Sequence, residues 1–558
     1  MTVSFDEDKQ DKRLDEFKRR EEEDVAQIVA SRYDLEYVDL APVPINMDAL
    51  RLIPEHDARD SKTAAFSLVG KKIKVAVVSP VNERSKDVAN MLKQKGYEVT
   101  LAVASPLSLE KAWSRYADLS FSTETKAGAL DISSEDIKTF IGQIHTIEDV
   151  RAQITEILKL KKGFRISKIL EIVLSGALAT KASDVHVEPE EAYVRLRYRL
   201  DGVLTDILSF DTETFGLLLS RIKLLSGLKL NIKSEAQDGR FSVKIGEDEI
   251  EIRTSILPGA YNESVVLRLL NPKSIQVPLE DLGIHEKLLG ILMKEIGKPN
   301  GMILTTGPTG SGKTTTLYAF MRKIHTPQVK IITIEDPIEY HLPGIVQTQV
   351  NAEKNYTFDL GLRSALRQDP DVIMVGEIRD NETAQTAINS ALTGHLVFST
   401  LHTNDAAGSF PRLIDLGVNP RVISSAVTIA LAQRLVRKLC PDCKRQEPLQ
   451  GADKAAIDGI VAGIVDRALA PTAADAYWKP VGCAKCNNTG YSGRVGIYEG
   501  ILITEEINKA IEYSTSESEI AKAARPQGVL SMLEDGIIKV LKGVTSLEEL
   551  ERVISIEN

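Results

Sequence analysis

The chain has 558 residues and an ordinary apolar content, enough for about three or four domains at roughly 100–200 residues each. Its formal net charge of −10 argues against an extended duplex-DNA footprint, which needs clustered Lys and Arg. No apolar run approaches the roughly 18 residues of a membrane span.

Residues 1–24 mix both signs of charge and hold no apolar signal core. They are expected to be a charged tail or solvated helix, which leaves the cytoplasm as the default compartment. Residues 25–118 read as an N-terminal α/β domain. Asp24–Tyr33 has helical spacing, Lys72–Val78 reads as a strand, Glu83–Lys95 as a helix and Tyr97–Val103 as a second strand, the order of a βαβ unit. Residues 119–150 show little periodicity and are expected to be a linker running into a helix. Residues 151–272 read as a second α/β domain: a helix over Ile166–Ala179, another over Phe215–Leu225, and alternating strands at Val194–Tyr198, Phe241–Ile245, Glu249–Ser255 and Ser264–Leu270. Such alternation predicts a half-buried antiparallel sheet. A hinge linker is expected at 273–284. Residues 285–438 then repeat βα signals, which predicts a mainly parallel sheet covered on both faces. Residues 439–497 carry the cysteines, and 498–558 form a C-terminal region whose residues 504–558 read as helices.

The apolar strand signal Gly301–Thr306 runs directly into Gly307, Pro308, Thr309, Gly310, Ser311, Gly312, Lys313, Thr314 and Thr315, and a helix signal follows over Thr314–Met321. This strand, Gly-rich loop and helix form the context of a phosphate-binding P-loop. Glycines let backbone N–H groups turn inward around a polyphosphate, and the helix start adds its positive dipole end. The Lys313 ammonium is placed to reach the β- and γ-phosphates of ATP, and the Thr314 hydroxyl to ligate Mg²⁺. Hydrolysis also needs acids. Two buried-strand signals end in them: Lys330–Ile334 before Glu335-Asp336-Pro337-Ile338-Glu339, and Val372–Val375 before Gly376-Glu377. Acids beyond parallel strand ends lie on the ligand-binding edge of an α/β sheet. His395 and His402 flank the strand signal Leu396–Thr400. Their spacing fits no common metal motif, and a polar contact to the γ-phosphate is a reading for His402.

Only four cysteines occur, as Cys440-Pro441-Asp442-Cys443 and Cys483-Ala484-Lys485-Cys486. Each pair can place two thiolates on one tetrahedral Zn²⁺, and free thiols or a redox pair are the competing readings. The intervening segment has room for its own helices.

Together these residues resemble the family of ATPases that power type II secretion and type IV pilus assembly. The likeness covers about 150–500. It includes the P-loop, an acidic box at Ile334–Glu339, a Walker B-like segment at Asp369–Asp380 with Gly376-Glu377, and a His box at Thr393–Thr403. Upstream, Ala182–His186, Arg199–Leu204 and Gln237–Arg240 resemble the family's second N-terminal domain. The resemblance implies an α/β, RecA-like P-loop NTPase domain preceded by two smaller α/β domains, with a four-cysteine zinc element and C-terminal helices. It implies a homo-hexamer binding ATP between the second domain and the core. In that setting Glu339 polarises the attacking water and Glu377 supports Mg²⁺ through its water shell. Arg240, Arg253 and Arg268 reach the γ-phosphate. It also implies an inner-membrane platform protein and a cytoplasmic-side anchoring protein as partners, and a place at the inner face of the cell membrane held only through those partners; no nucleic-acid partner is expected, because the net charge is acidic and no basic or aromatic-studded stripe occurs. The cysteines tilt the reading toward assembly or secretion, because retraction members of the family typically lack them. A retraction motor, a nucleic-acid motor and a non-catalytic ATP-gated scaffold are the alternatives. The Arg-Leu-Gly-led repeats with which some members bind cyclic di-GMP have no good copy here, so that ligand is not expected.

Overall fold

The computed structural model describes residues 22–556, apart from 44, 47–48, 51, 70, 119–123, 126–128, 131–133, 160–161, 246–247, 273–276, 473–474 and 515. Most of the expected tail at 1–24, much of the 119–133 stretch and the start of the 273–284 hinge therefore lie outside the described residues. The chain divides into two compact units, Met1–Thr123 and Glu124–Asn558.

In the first unit a four-stranded sheet has the order Glu36–Tyr37, Glu98–Val103, Lys72–Val77, Thr63–Val69. The expected βαβ unit is present. Lys72–Val77 and Glu98–Val103 run parallel, and the helix Glu83–Gln94 between them is capped by Asn82 and buries Val88 and Leu92. Thr63–Val69 adds an antiparallel strand that sequence reading missed. Its Thr-Ala-Ala-Phe-Ser-Leu-Val run lacks a clean period, so tertiary pairing decided it.

The stretch 119–150, expected as a linker running into a helix, holds the helix Ser134–Gln143, and a second helix, Ile147–Leu158, starts within it. Thr146 and Asp149 form a reciprocal capping box, and Ile137, Ile144, Ile147 and Val150 enter a buried core. That core belongs to a six-stranded antiparallel sheet ordered Gln237–Ile245, Asp248–Pro258, Glu263–Leu270, Asp184–Pro189, Val194–Leu200, Val203–Phe210. One face packs Val185, Leu196, Tyr198, Phe241, Ile252 and Leu267 against Lys162–Ala179 and Thr212–Leu225. The period of two sends the alternate residues, many of them charged, to the other face.

The core that follows is a seven-stranded sheet ordered Val346–Gln349, Ile331–Glu335, Val372–Val375, Leu396–Leu401, Gly301–Thr306, Val427–Leu439, Tyr491–Leu502. The first six are parallel and the last is antiparallel. Successive residues of one strand feed opposite cores: Met302 and Leu304 join one apolar cluster, Ile303 the other. Both faces are thus covered, which is why these strands read as continuous apolar runs.

Tyr491–Leu502 crosses the boundary set at 497/498 in the sequence reading. The cysteine segment is therefore an insertion in a strand pair of the core sheet, with Leu439 opposite Tyr491. It holds the helix Gly451–Gly463 and the short pair Arg445–Pro448 and Ala476–Lys479. Among the described residues four α-helices follow the returning strand: Glu505–Tyr513, Glu517–Ala524, Met532–Leu541 and Leu547–Val553. No helix among the described residues is long and apolar enough to cross a membrane.

Candidate active site

Parallel pairing aligns the carboxyl ends of four core strands on one edge. Gly301–Thr306 ends at Gly307, Ile331–Glu335 at Asp336, Val372–Val375 at Gly376 and Leu396–Leu401 at His402. Ligands of open α/β sheets bind at this edge.

The Gly-rich loop lies between Gly301–Thr306 and the helix Lys313–Ile324. A Cβ at Gly307 would come within 2.5 Å of the Gln433 carbonyl oxygen, and Gly312 starts the helix with φ +91°. Both positions require glycine. Gln433 Nε2 donates to Ser311 O at 2.8 Å, so a strand more than a hundred residues later braces the loop. Pro308, Thr309 and Gly310 are exposed, while Thr314 and Thr315 are half-buried at the helix start.

Lys313 Nζ donates to Gly307 O at 2.7 Å and to Pro308 O at 3.2 Å. Burial lowers its pKa, and the field of Glu377 opposes that shift only in part. A half-buried ammonium held by carbonyls alone among the described residues is a fit for an incoming phosphate anion. Glu377 pairs with Arg379, and its Oε2 lies 3.3 Å from His402 Nε2. Arg379 Nη1 is also 3.7 Å from Asp336 Oδ2, so it spans both acidic strand ends. Its pKa is raised, first by the bond to Glu377. Sequence reading missed Arg379, although its place two residues after Glu377 was a signal. His402 is held in place through its neighbour: Thr403 N–H donates to Thr306 Oγ1 at 2.8 Å.

Glu339 meets a different group. Arg253 Nη1 lies 2.9 Å from Glu339 Oε2, and Arg253 Nη2 donates to Ile338 O at 2.5 Å. Arg253 comes from the six-stranded sheet, so the contact joins that sheet to the core. Strand register explains how. Arg240 stands opposite Arg253, and Arg253 opposite Arg268, on three adjacent strands. The row continues through Asp184 to Arg199. The three candidate arginines therefore share one face but not one state. Arg253 holds Glu339. Arg268 Nε donates to Asp184 Oδ1 at 3.0 Å. Arg240 is exposed and has no side-chain partner among the described residues.

The four cysteine sulfurs lie within 4.8 Å of one another. Cys440–Cys483, Cys443–Cys486 and Cys483–Cys486 are 3.9, 3.8 and 3.7 Å apart. These separations are far beyond a disulfide bond. They suit a tetrahedral metal at about 2.3 Å from each sulfur, which sets sulfurs about 3.8 Å apart. Burial works against a thiolate at Cys486, yet the N–H groups of Cys483 and Gly490, each 3.2 Å from its sulfur, together with the Cys483 and Cys443 thiols, outweigh it and bring the pKa to about 7.

A glycine-rich loop between a buried strand and a helix, edged by acids from neighbouring strand ends, defines a P-loop nucleotide-binding α/β protein. A family profile described as type II/IV secretion system protein matches residues 159–552, and one described as MshEN domain matches 33–123. The chain belongs to this type II/IV secretion family, as a secretion or pilus-assembly ATPase of the type represented by secretion protein E and PilB. Type II secretion system protein E of Aeromonas hydrophila is 47% identical over 388 residues, 70% of this chain and 75% of its own. Type IV pilus assembly ATPase PilB of Myxococcus xanthus (strain DK1622) is 34% identical over 534 residues, 95% and 91% of the two chains. The solved structure of the ATPase DotB of Yersinia pseudotuberculosis shares the fold, with a TM-score of 0.51 at 20% identity over 71% of this chain and 95% of its own.

Proposed function

We propose that this chain hydrolyses ATP as a homo-hexameric motor on the cytoplasmic side of the inner membrane, driving assembly of a type IV pilus or a type II secretion pseudopilus. The observation that carries the reading is the Arg253–Glu339 pair at 2.9 Å, which joins the second domain to the core at the candidate water-polarising carboxylate. With ATP in the P-loop, Lys313 and the inward backbone N–H groups bind the phosphates. Thr314 would ligate Mg²⁺ and Glu377 would support it through its water shell, and the ion would offset charge on the phosphates. The γ-phosphate competes with Glu339 for Arg253. Transfer of Arg253 to the phosphate releases Glu339 to polarise water. Arg240 and Arg268 stand in the same row to add positive charge. His402, bonded to Glu377, reads whether the γ-phosphate is present.

Release of phosphate restores the Arg253–Glu339 pair. That cycle of gain and loss moves the second domain against the core about the 273–284 hinge. The motion would pass to an inner-membrane platform protein, with a cytoplasmic-side anchoring protein holding the motor there. The four cysteines bind Zn²⁺ as a closed structural site that stiffens a partner-facing knob. Steady-state phosphate release by the purified chain tests the reading. Turnover that needs Glu339 and Arg253 supports it, and Glu339→Gln with undiminished turnover rejects it.

A further inference from the structure

Glu339 lies on an irregular segment between the strands Ile331–Glu335 and Val346–Gln349. Side chains pin its backbone. Leu342 N–H donates to Gln347 Oε1 at 2.7 Å, Gln347 Nε2 donates to Tyr340 O at 2.9 Å, and Ile338 N–H reaches Gln349 Oε1 at 3.4 Å. Gln347 Nε2 also donates to Glu335 Oε1 at 3.0 Å. Glu335 is only 3% exposed, and no Lys, Arg or His among the described residues bonds it. Its other donors are Thr333 Oγ1 and Tyr318 Oη, each at 2.5 Å. Tyr318 is fully buried on the helix that Lys313 begins. Burial first, then the Glu335 carboxylate, pushes the Tyr318 phenol far up, so it stays a donor.

A carboxylate buried among neutral donors is an expensive way to fill space, since desolvation is offset only by hydrogen bonds. Its cost is explained if the bonds carry position. We propose that Tyr318, Glu335 and Gln347 are positioning residues that tie the Glu339 segment to the P-loop helix. The Glu339 carboxylate and the Lys313 ammonium then move as one body. This rests on the reading of Glu339 as the water-polarising group. It separates the two jobs of the site: nucleotide binding belongs to the loop, and the aim of the carboxylate belongs to this relay.

The test uses the full chain with Tyr318→Phe and Gln347→Leu, alone and together. Each single variant is expected to lower kcat about ten- to hundredfold while KM for ATP and the Kd of a fluorescent ATP analogue change less than about twofold. The double variant should lose little more than the worse single one, because both cut one relay. Unchanged kcat in both single variants overturns the proposal. So does a fall in ATP affinity and melting temperature that accounts for the lost kcat, since that marks a purely structural role. If Tyr318→Phe fails to fold, Gln347→Leu, on the half-buried edge strand, decides alone. Glu339→Gln separates the two ideas. If it turns over normally, the reading of Glu339 itself fails; if it is silent while Tyr318→Phe and Gln347→Leu are normal, only the relay fails.

Discussion

Two clusters rise from the same side of the seven-stranded sheet. At the sheet edge, the Lys313 ammonium is bonded, among the described residues, only to the carbonyls of Gly307 and Pro308. Beyond it, Val427–Leu439 outruns its neighbour: Ala432 stands beside Thr306, and Gln433–Leu439 continue to Cys440. There four sulfurs face one another within 4.8 Å. The first cluster holds an ammonium that no carboxylate bonds among the described residues, the second four thiols closed on one point. Open coordination suits a site that must exchange its ligand every cycle, and closed coordination suits one that must never lose it. One strand serves both, since Gln433 braces the P-loop at its middle and the first knuckle follows its end.

The comparison breaks most sharply at the open site. Lys313→Ala is expected to remove ATP turnover by about 10³-fold or more in a phosphate-release assay, with the zinc content unchanged. Undiminished turnover would reject the assignment. Arg253→Ala should lower kcat by about 10²–10³-fold, at or below the low end for arginine fingers, because Arg240 and Arg268 stand in the same row. Arg268→Ala should cost less, since Asp184 already engages that guanidinium. Equal losses for the two would show that register, not the Glu339 contact, sets their roles.

The closed site predicts the opposite pattern. Elemental analysis of an undamaged preparation should find about one zinc per chain, and less than about half would undermine the four-thiolate reading. Cys443→Ser should lower the melting temperature by several degrees, roughly 5 °C, while ATP affinity measured well below the transition stays within about twofold. A matching loss of ATP affinity would mean that the shared strand couples the two clusters.

The smallest effect concerns Glu517, whose pKa is pushed up to about 7, first by its hydrogen bond with Asp405 and then by burial. Asp405 follows the His box, and Glu517 opens a C-terminal helix. A carboxyl pKa raised in the fold adds stability that is complete below the unfolded value near 4.3 and is lost as pH rises through about 7. The melting temperature should therefore drop slightly from pH 5 to pH 8, by about 1 °C, since the group is partly exposed and screened. Glu517→Gln should flatten that slope. A slope that persists in the variant would place the titration elsewhere.

What the sequence determined by itself was local. A strand, a Gly-rich turn and a helix occupy one continuous stretch, so Gly301–Thr306, the loop and Lys313–Ile324 could be read in order. Acids after apolar runs and paired cysteines were legible for the same reason. The tertiary structure decided which distant groups meet. Arg253 and Glu339 are 86 residues apart, and Gln433 and Ser311 are 122 apart. The row Arg240, Arg253, Arg268, Asp184, Arg199 exists only through the register of five strands. A slip of one residue would turn each side chain to the other face, and register is set by pairing across the whole sheet rather than by any residue's neighbours in the chain.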